Sequence, residues 1–238
     1  MRSTIPLALL AACAGAEADP QRPTGPEGPL VIELFTSQGC SSCPPADALI
    51  AKLAASGAVG GRAVAPLSFH VDYWNDLGWA DPFSLPAWTQ RQHDYANALG
   101  DDRVYTPELV VAGGAAMVGS QQRAVALAIG KAPHQDVLPA TAKWDATRVA
   151  VTATAPADAD VFVAIYESST STAVMRGENA GKTLGSERVV RRLERVARAG
   201  QQATLALAID PTWHAVGAIA FAQRADRRII AAAMLPRS

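Results

Sequence analysis

Residues 30–45 read LVIELFTSQGCSSCPP. The run from Leu30 to Phe35 is apolar and β-suited, and it predicts a short buried strand. Cys40 and Cys43 follow, with Pro44 and Pro45 directly behind them. A C-x-x-C pair after a strand and at a helix start has a chemical logic. The helix N-terminus carries unpaired N–H groups and the positive end of the dipole. Both favour thiolate over thiol in the more N-terminal cysteine. Cys40 is therefore expected to attack, and Cys43, one turn on, to resolve the mixed disulfide. Pro44 and Pro45 suit the first helical turn, where a missing N–H costs little.

Two other readings of the pair stay open. Zinc would want four ligands, and His70 and His93 are not at ligand spacing. A copper site built from Cys40, Cys43 and His70 would suit soft thiolates. A structural staple across so short a loop would add little stability. No cofactor is expected.

The rest of the 238-residue chain has room for one large domain or two ordinary ones, and its 49% hydrophobic content fits a globular protein. A net charge of −1 gives no reason to expect nucleic acid as a partner. Residues 1–18 carry one positive charge, an apolar stretch from Ile5 to Ala12 and then small residues, which is the outline of a signal peptide. Two processing routes compete. Leu10-Ala11-Ala12-Cys13 resembles a bacterial lipobox, with Cys13 lipidated and the protein anchored to the outer membrane. Ala-x-Ala cleavage near residue 18 would instead remove Cys13. Either route predicts a periplasmic or secreted chain with one thiol pair, in a compartment where disulfides persist. Residues 19–29, rich in Pro and Gly, read as a flexible linker.

Downstream, helical spacing follows the cysteines and ends near Gly57. Residues 63–71 and 109–112 read as strands, and 115–118 as a hairpin partner. Residues 86–99 read as a helix. A further helix, capped by Ser120, runs through Val125 and Ile129. The alternation predicts a layered α/β domain over residues 30–133. From 134 to 238 the pattern changes to short strands at 148–154, 161–166, 204–209, 215–221 and 228–233, as in a small β-sandwich. The segment SERVVRRLERVARAG, from Ser186, fits helical spacing better than alternation.

The combination VIELFTSQGCSSCPPAD, from Val31, and VYTPELVVAGG, from Val104, resembles the thioredoxin superfamily. With SFHVDYWNDLGWADPF, RQHDYA and ENAGKTL, the chain is similar over residues 29–235 to a bacterial secreted, thioredoxin-like family known only as a domain of unknown function, the DUF1223 type. That resemblance implies an α/β thioredoxin-like fold followed by a smaller β-rich, sandwich-like domain. It implies a cis Thr106-Pro107 facing the C-x-x-C and presenting its backbone to a substrate chain. It implies Glu33 as a buried proton acceptor for the resolving cysteine. It does not supply a substrate.

Beyond the second strand, His70, Asp72, Tyr73 and Trp74 fall where open α/β sheets gather their sites. His70 would pair with a thiolate or move protons, with Asp72 orienting it. Tyr73, Trp74 and Tyr105 would line a substrate groove. Against this, the aromatics would simply pack a loop, with His70 a satisfied core residue. Arg91, His93 and Asp94 read as a polar helix face. The function expected is thiol–disulfide exchange with exported protein thiols or disulfides, served by a separate redox partner. The alternative is a non-enzymatic peptide- or copper-binding protein.

Overall fold

The structure is a computed structural model and describes residues 26–237. The expected signal peptide, Cys13 and residues 19–25 of the expected linker lie outside the described residues. In the first half the elements run β1 (Leu30–Thr36), α1 (Pro44–Ser56), β2 (Ala58–Val59), β3 (Arg62–His70), α2 (Pro86–Leu99), β4 (Glu108–Val111), β5 (Ala115–Val118) and α3 (Gln122–Lys131). Next come β6 (Asp136–Val137), β7 (Ala140–Trp144), β8 (Arg148–Thr154), β9 (Asp160–Glu167), β10 (Thr170–Ala173) and β11 (Thr183–Ser186). The chain closes with β12 (Val189–Ala197), β13 (Gln202–Ala208), β14 (Gly217–Gln223) and β15 (Ile229–Leu235).

One mixed sheet of ten strands runs β5-β4-β1-β3-β12-β9-β14-β15-β6, with β2 paired beside β3. β1 lies inside it, parallel to β3 and antiparallel to β4. Both its faces are covered, which explains its almost unbroken apolar run. Leu30, Ile32 and Leu34 pack under α1 and α3 against Leu49, Ile50, Val125 and Ile129. Val31 and Phe35 face the other way, toward Trp88 and Tyr95 of α2. At the far end of the sheet, the α1/α3 side is covered instead by the three-stranded sheet β13-β8-β7. Two facing sheets thus stand where a separate sandwich-like domain was expected. The larger sheet is the continuation of the first-half sheet, because β12 lies parallel beside β3. Ser68 N–H donates to the Arg188 carbonyl at 2.9 Å and its hydroxyl to the Glu187 carbonyl at 2.9 Å.

Three local expectations change. The segment whose spacing left helix and strand both open is strand β12, between β3 and β9. Its register shifts between Val190 and Arg192 and again between Arg195 and Ala197. Each irregularity resets which face the next side chain takes, so apolar residues arrive at helix-like intervals. Ser120 is not a side-chain cap: α3 begins after Gln121, and no side chain caps it. Glu27 and Gly28, expected to end a linker, are held by the fold. Glu27 pairs with Arg62 at 2.8 Å, and Gly28 N–H donates to the Gln135 carbonyl at 2.8 Å. Gly57 ends α1 as expected, in the left-handed conformation at φ 65° that favours glycine.

Candidate functional site

The turn between β1 and α1 is tight. Ser37 accepts from Cys40 N–H through its carbonyl and from Gly39 N–H through its hydroxyl. Cys43 is the residue before the helix, with Pro44 and Pro45 at its first positions. Cys40 and Cys43 form a disulfide, and both are fully buried. The prolines carry no N–H, and the next two donors, Ala46 and Asp47, already bond the Cys43 carbonyl. Few helix N–H groups are therefore left for a sulfur. The Ser42 hydroxyl stands in, 3.3 Å from Cys40 Sγ.

Asp47 lies one turn beyond Cys43, on the α1 face that meets the sheet. It accepts from Thr36 Oγ1 at 2.8 Å. Burial pushes its carboxyl up to about 6, against the opposing pull of His70 and the Thr36 hydrogen bond. His70 is aligned with Thr36 in the β1–β3 register. Its Nδ1 is 2.7 Å from Asp81 Oδ2, while its buried Nε2 has no hydrogen-bond partner among the described residues. Burial disfavours the charged ring, but Asp81 outweighs it and the His70 pKa rises. Asp81 is held low despite its own burial, chiefly by His70. The same carboxylate accepts from Gln38 N–H at 2.7 Å and from Phe83 N–H at 2.9 Å. Asp81 thus joins His70 to the turn that carries Cys40.

The residue expected to orient His70, Asp72, does something else. Asp72 accepts from Thr89 Oγ1 at 2.5 Å and ties the loop to α2. It lies two residues beyond the end of β3, outside the sheet. Glu33 also departs from expectation. Its side chain points to the α2 face, with Val31 and Phe35, away from α1 and the disulfide. Arg91 Nε donates to Oε2 at 2.6 Å and Nη2 to Oε1 at 2.9 Å, and Tyr95 OH donates to Oε1 at 2.6 Å. Gln223 completes the cluster from β14. Burial and the neighbouring Glu33 charge hold the Tyr95 hydroxyl protonated, although the Arg91 charge pulls the other way. Arg91, expected on a polar face, is a buried structural cation.

Trp74 connects the expected groove to the cysteine turn. Its Nε1–H donates to Thr106 Oγ1 at 2.8 Å, and a Cβ on Gly39 would lie 3.1 Å from Trp74 Cβ. The Thr106–Pro107 peptide is cis. Tyr73 OH donates to Gln92 Oε1 at 3.2 Å, and Gln92 Nε2 donates to the Tyr105 carbonyl at 2.7 Å and to Glu108 at 2.6 Å. Tyr73 stays 37% exposed, and burial of its hydroxyl pushes that group to about 12. Cys40, Cys43, Thr106, Pro107, His70, Tyr73, Trp74 and Tyr105 therefore belong to one linked region. Glu33 and Asp72 do not serve it.

A strap from the second half crosses this region. Asn179, fully buried, donates through Nδ2 to the carbonyls of Gln38 and Cys40, each at 2.9 Å. Lys182 Nζ donates to Asn179 Oδ1 at 2.9 Å, and Glu178 accepts from Ser41 N–H at 2.9 Å. Gln38 reaches Thr172 on β10, and Trp79 donates to Gln38. Asp47 and Pro44 line a cavity of ≈ 300 Å³ between α1 and β11. Asp47, Asp81, Ser42 and Asn179 were not predicted as site residues. The quoted motifs contain all four. Ser42 lies two residues from Cys40, but Thr36 and His70 are each 11 residues from their partners Asp47 and Asp81, and Asn179 is 139 residues from Cys40, too far for spacing to pair them. Among the described residues, no three His, Cys, Asp or Glu side chains converge as metal ligands.

A family model described as a protein of unknown function, DUF1223, matches residues 31–223. No curated protein matches the sequence significantly. A crystal structure of a protein from Agrobacterium tumefaciens, a structural genomics target, is similar with a TM-score of 0.68 at 29% identity, over 89% of this chain and 96% of that one. HBP35 of Porphyromonas gingivalis is similar in fold, with a TM-score of 0.59 at 15% identity, over 88% of this chain and 76% of that one.

Proposed function

The chain belongs to the DUF1223 family of proteins of unknown function, and from that premise we propose an exported, thioredoxin-like thiol–disulfide oxidoreductase. The observation that carries the proposal is the Cys40–Cys43 disulfide at the start of α1 with the Asp47 carboxyl, raised to about 6, one turn beyond it. In the reduced protein, the Cys40 thiolate attacks a substrate disulfide. An S–S bond forms to Cys40 and one substrate thiolate leaves. Asp47 takes the Cys43 proton, and the Cys43 thiolate attacks Cys40 Sγ. That releases the second substrate thiolate, so the substrate gains two electrons and the pair is oxidised. An exported dithiol partner returns the electrons, and with an oxidising partner the same steps run in reverse. Asp47 holds the role expected of Glu33, and its proton reaches solvent through the cavity under β11.

Equilibration with glutathione tests this. The pair is expected to settle above about −300 mV, and the Cys40 thiol to titrate below the ordinary value of about 8.5. A lower potential with an unperturbed thiol would favour a second reading, to which the full burial of both sulfurs lends weight. In that reading the disulfide only shapes a peptide-binding surface under the strap.

Asp47 makes a pH prediction with an unusual sign. Between its ordinary 3.8 and about 6, the folded chain holds the Asp47 proton more firmly than the unfolded chain does. Its contribution to stability therefore falls as pH rises through that window. Asp47→Asn removes the effect. Urea unfolding is expected to show the variant gaining on the wild type between pH 4 and pH 7, while its resolving step slows. A stability difference that stays flat with pH would remove Asp47 from the role.

A further inference from the structure

β4 leaves Thr106–Pro107 beside Trp74 and runs through Val111, so residues beyond Val111 lie at the other end of the sheet from the disulfide. There the β4–β5 turn, α3 and the turn between β14 and β15 enclose a groove of ≈ 900 Å³. That volume is in the range of small-molecule sites. Val111, Ala112, Met117, Leu127, Ala128 and Ile229 give it an apolar floor. Leu127 remains 55% exposed although it faces this floor.

The rim is charged in one sense. Lys131, His134, Arg224 and Arg228 line it against a single carboxylate, Asp136. The whole chain has a net charge of −1, so this excess is local. Arg224 is paired with Asp158 at 2.7 Å and Arg228 lies 3.8 Å from Asp226. Lys131 has no ion-pair partner among the described residues. The His134 side chain is only 9% exposed; its Nε2 makes no hydrogen bond there and lies 3.4 Å from Asp136 Oδ1, while its Nδ1 lies 3.8 Å from Glu27 Oε1. Ala112, in the floor, is held at φ 52°, a left-handed conformation that a residue with a Cβ adopts at a cost. A concave apolar floor, an unpaired cation and a buried imidazole nitrogen lacking a hydrogen bond converge on one space.

We propose that this groove binds a single-chain anionic amphiphile of the long-chain carboxylate class. The tail lies on the α3 and β4 floor, and the carboxylate meets Lys131 and His134. The site shares no residue with the cysteine region and stands apart from the redox reading.

Calorimetric titration of the full chain with laurate, below its micelle concentration, tests the site. One saturable event per chain is expected. Leu127→Glu and Lys131→Glu each change an exposed position and are expected to weaken binding by at least about tenfold without altering the melting temperature. Absence of saturable laurate binding would overturn the proposal. So would equal affinity for dodecyltrimethylammonium, which has an apolar chain but a cationic head, or unchanged affinity in both variants.

Discussion

Arg91→Met is expected to destabilise the protein by about 3–5 kcal/mol, because it strands a buried carboxylate. Glu33 is 1% exposed and has both oxygens engaged, by Arg91 and Tyr95. Without the guanidinium, Glu33 keeps a single donor in an apolar surround. Arg91 also stacks on the rings of Phe69, Tyr95 and Phe221, 5.1 to 5.6 Å from their centroids. Methionine retains much of that packing, so the loss reads the charge rather than the volume. Glu33→Gln combined with Arg91→Met is expected to recover most of the stability, since an uncharged pair needs no counter-ion. Urea unfolding of both variants decides the matter. A single variant within about 1 kcal/mol of the wild type would mean that the cluster contributes no more than an exposed ion pair.

Cys40→Ser is expected to reduce thiol–disulfide exchange by at least about 10³-fold, since a serine hydroxyl is not ionised near neutral pH and forms no mixed disulfide. Cys43→Ser has a different signature. Cys40 still attacks, but no thiolate remains to resolve the adduct, so the mixed disulfide accumulates and appears by mass spectrometry. Loss of activity in both variants with no trapped adduct would put the nucleophile elsewhere. Sustained turnover by Cys40→Ser would end the oxidoreductase reading.

The order of elements around the cysteines was legible because each signal was local. β1 was an unbroken apolar run, α1 began at paired prolines and ended at Gly57, and α2 ran from Pro86 to Leu99. β12 was not legible, because its two register shifts disguise the strand period. Glu33 was correctly expected to be buried, but its partner sits on a helix 58 residues away, and nothing local says which face of β1 it takes. His70 was singled out and its partner mistaken. Asp72 was close in sequence, whereas Asp81 is brought back by a loop whose course no periodicity encodes. The strap was the least legible part. Asn179 had only a turn composition, and its role exists only once the second half is folded over Cys40.

That strap introduces time into the life of the disulfide. Asn179 follows Cys40 by 139 residues. At synthesis rates of about 5–20 residues per second, that is an interval of roughly 7–28 s. During it, both cysteines exist while their cover does not. The Gln38 and Cys40 carbonyls then lack the Asn179 donor, and the sulfurs lack the enclosure of the finished protein. The newborn chain and the mature one thus present different chemistry at the same two residues.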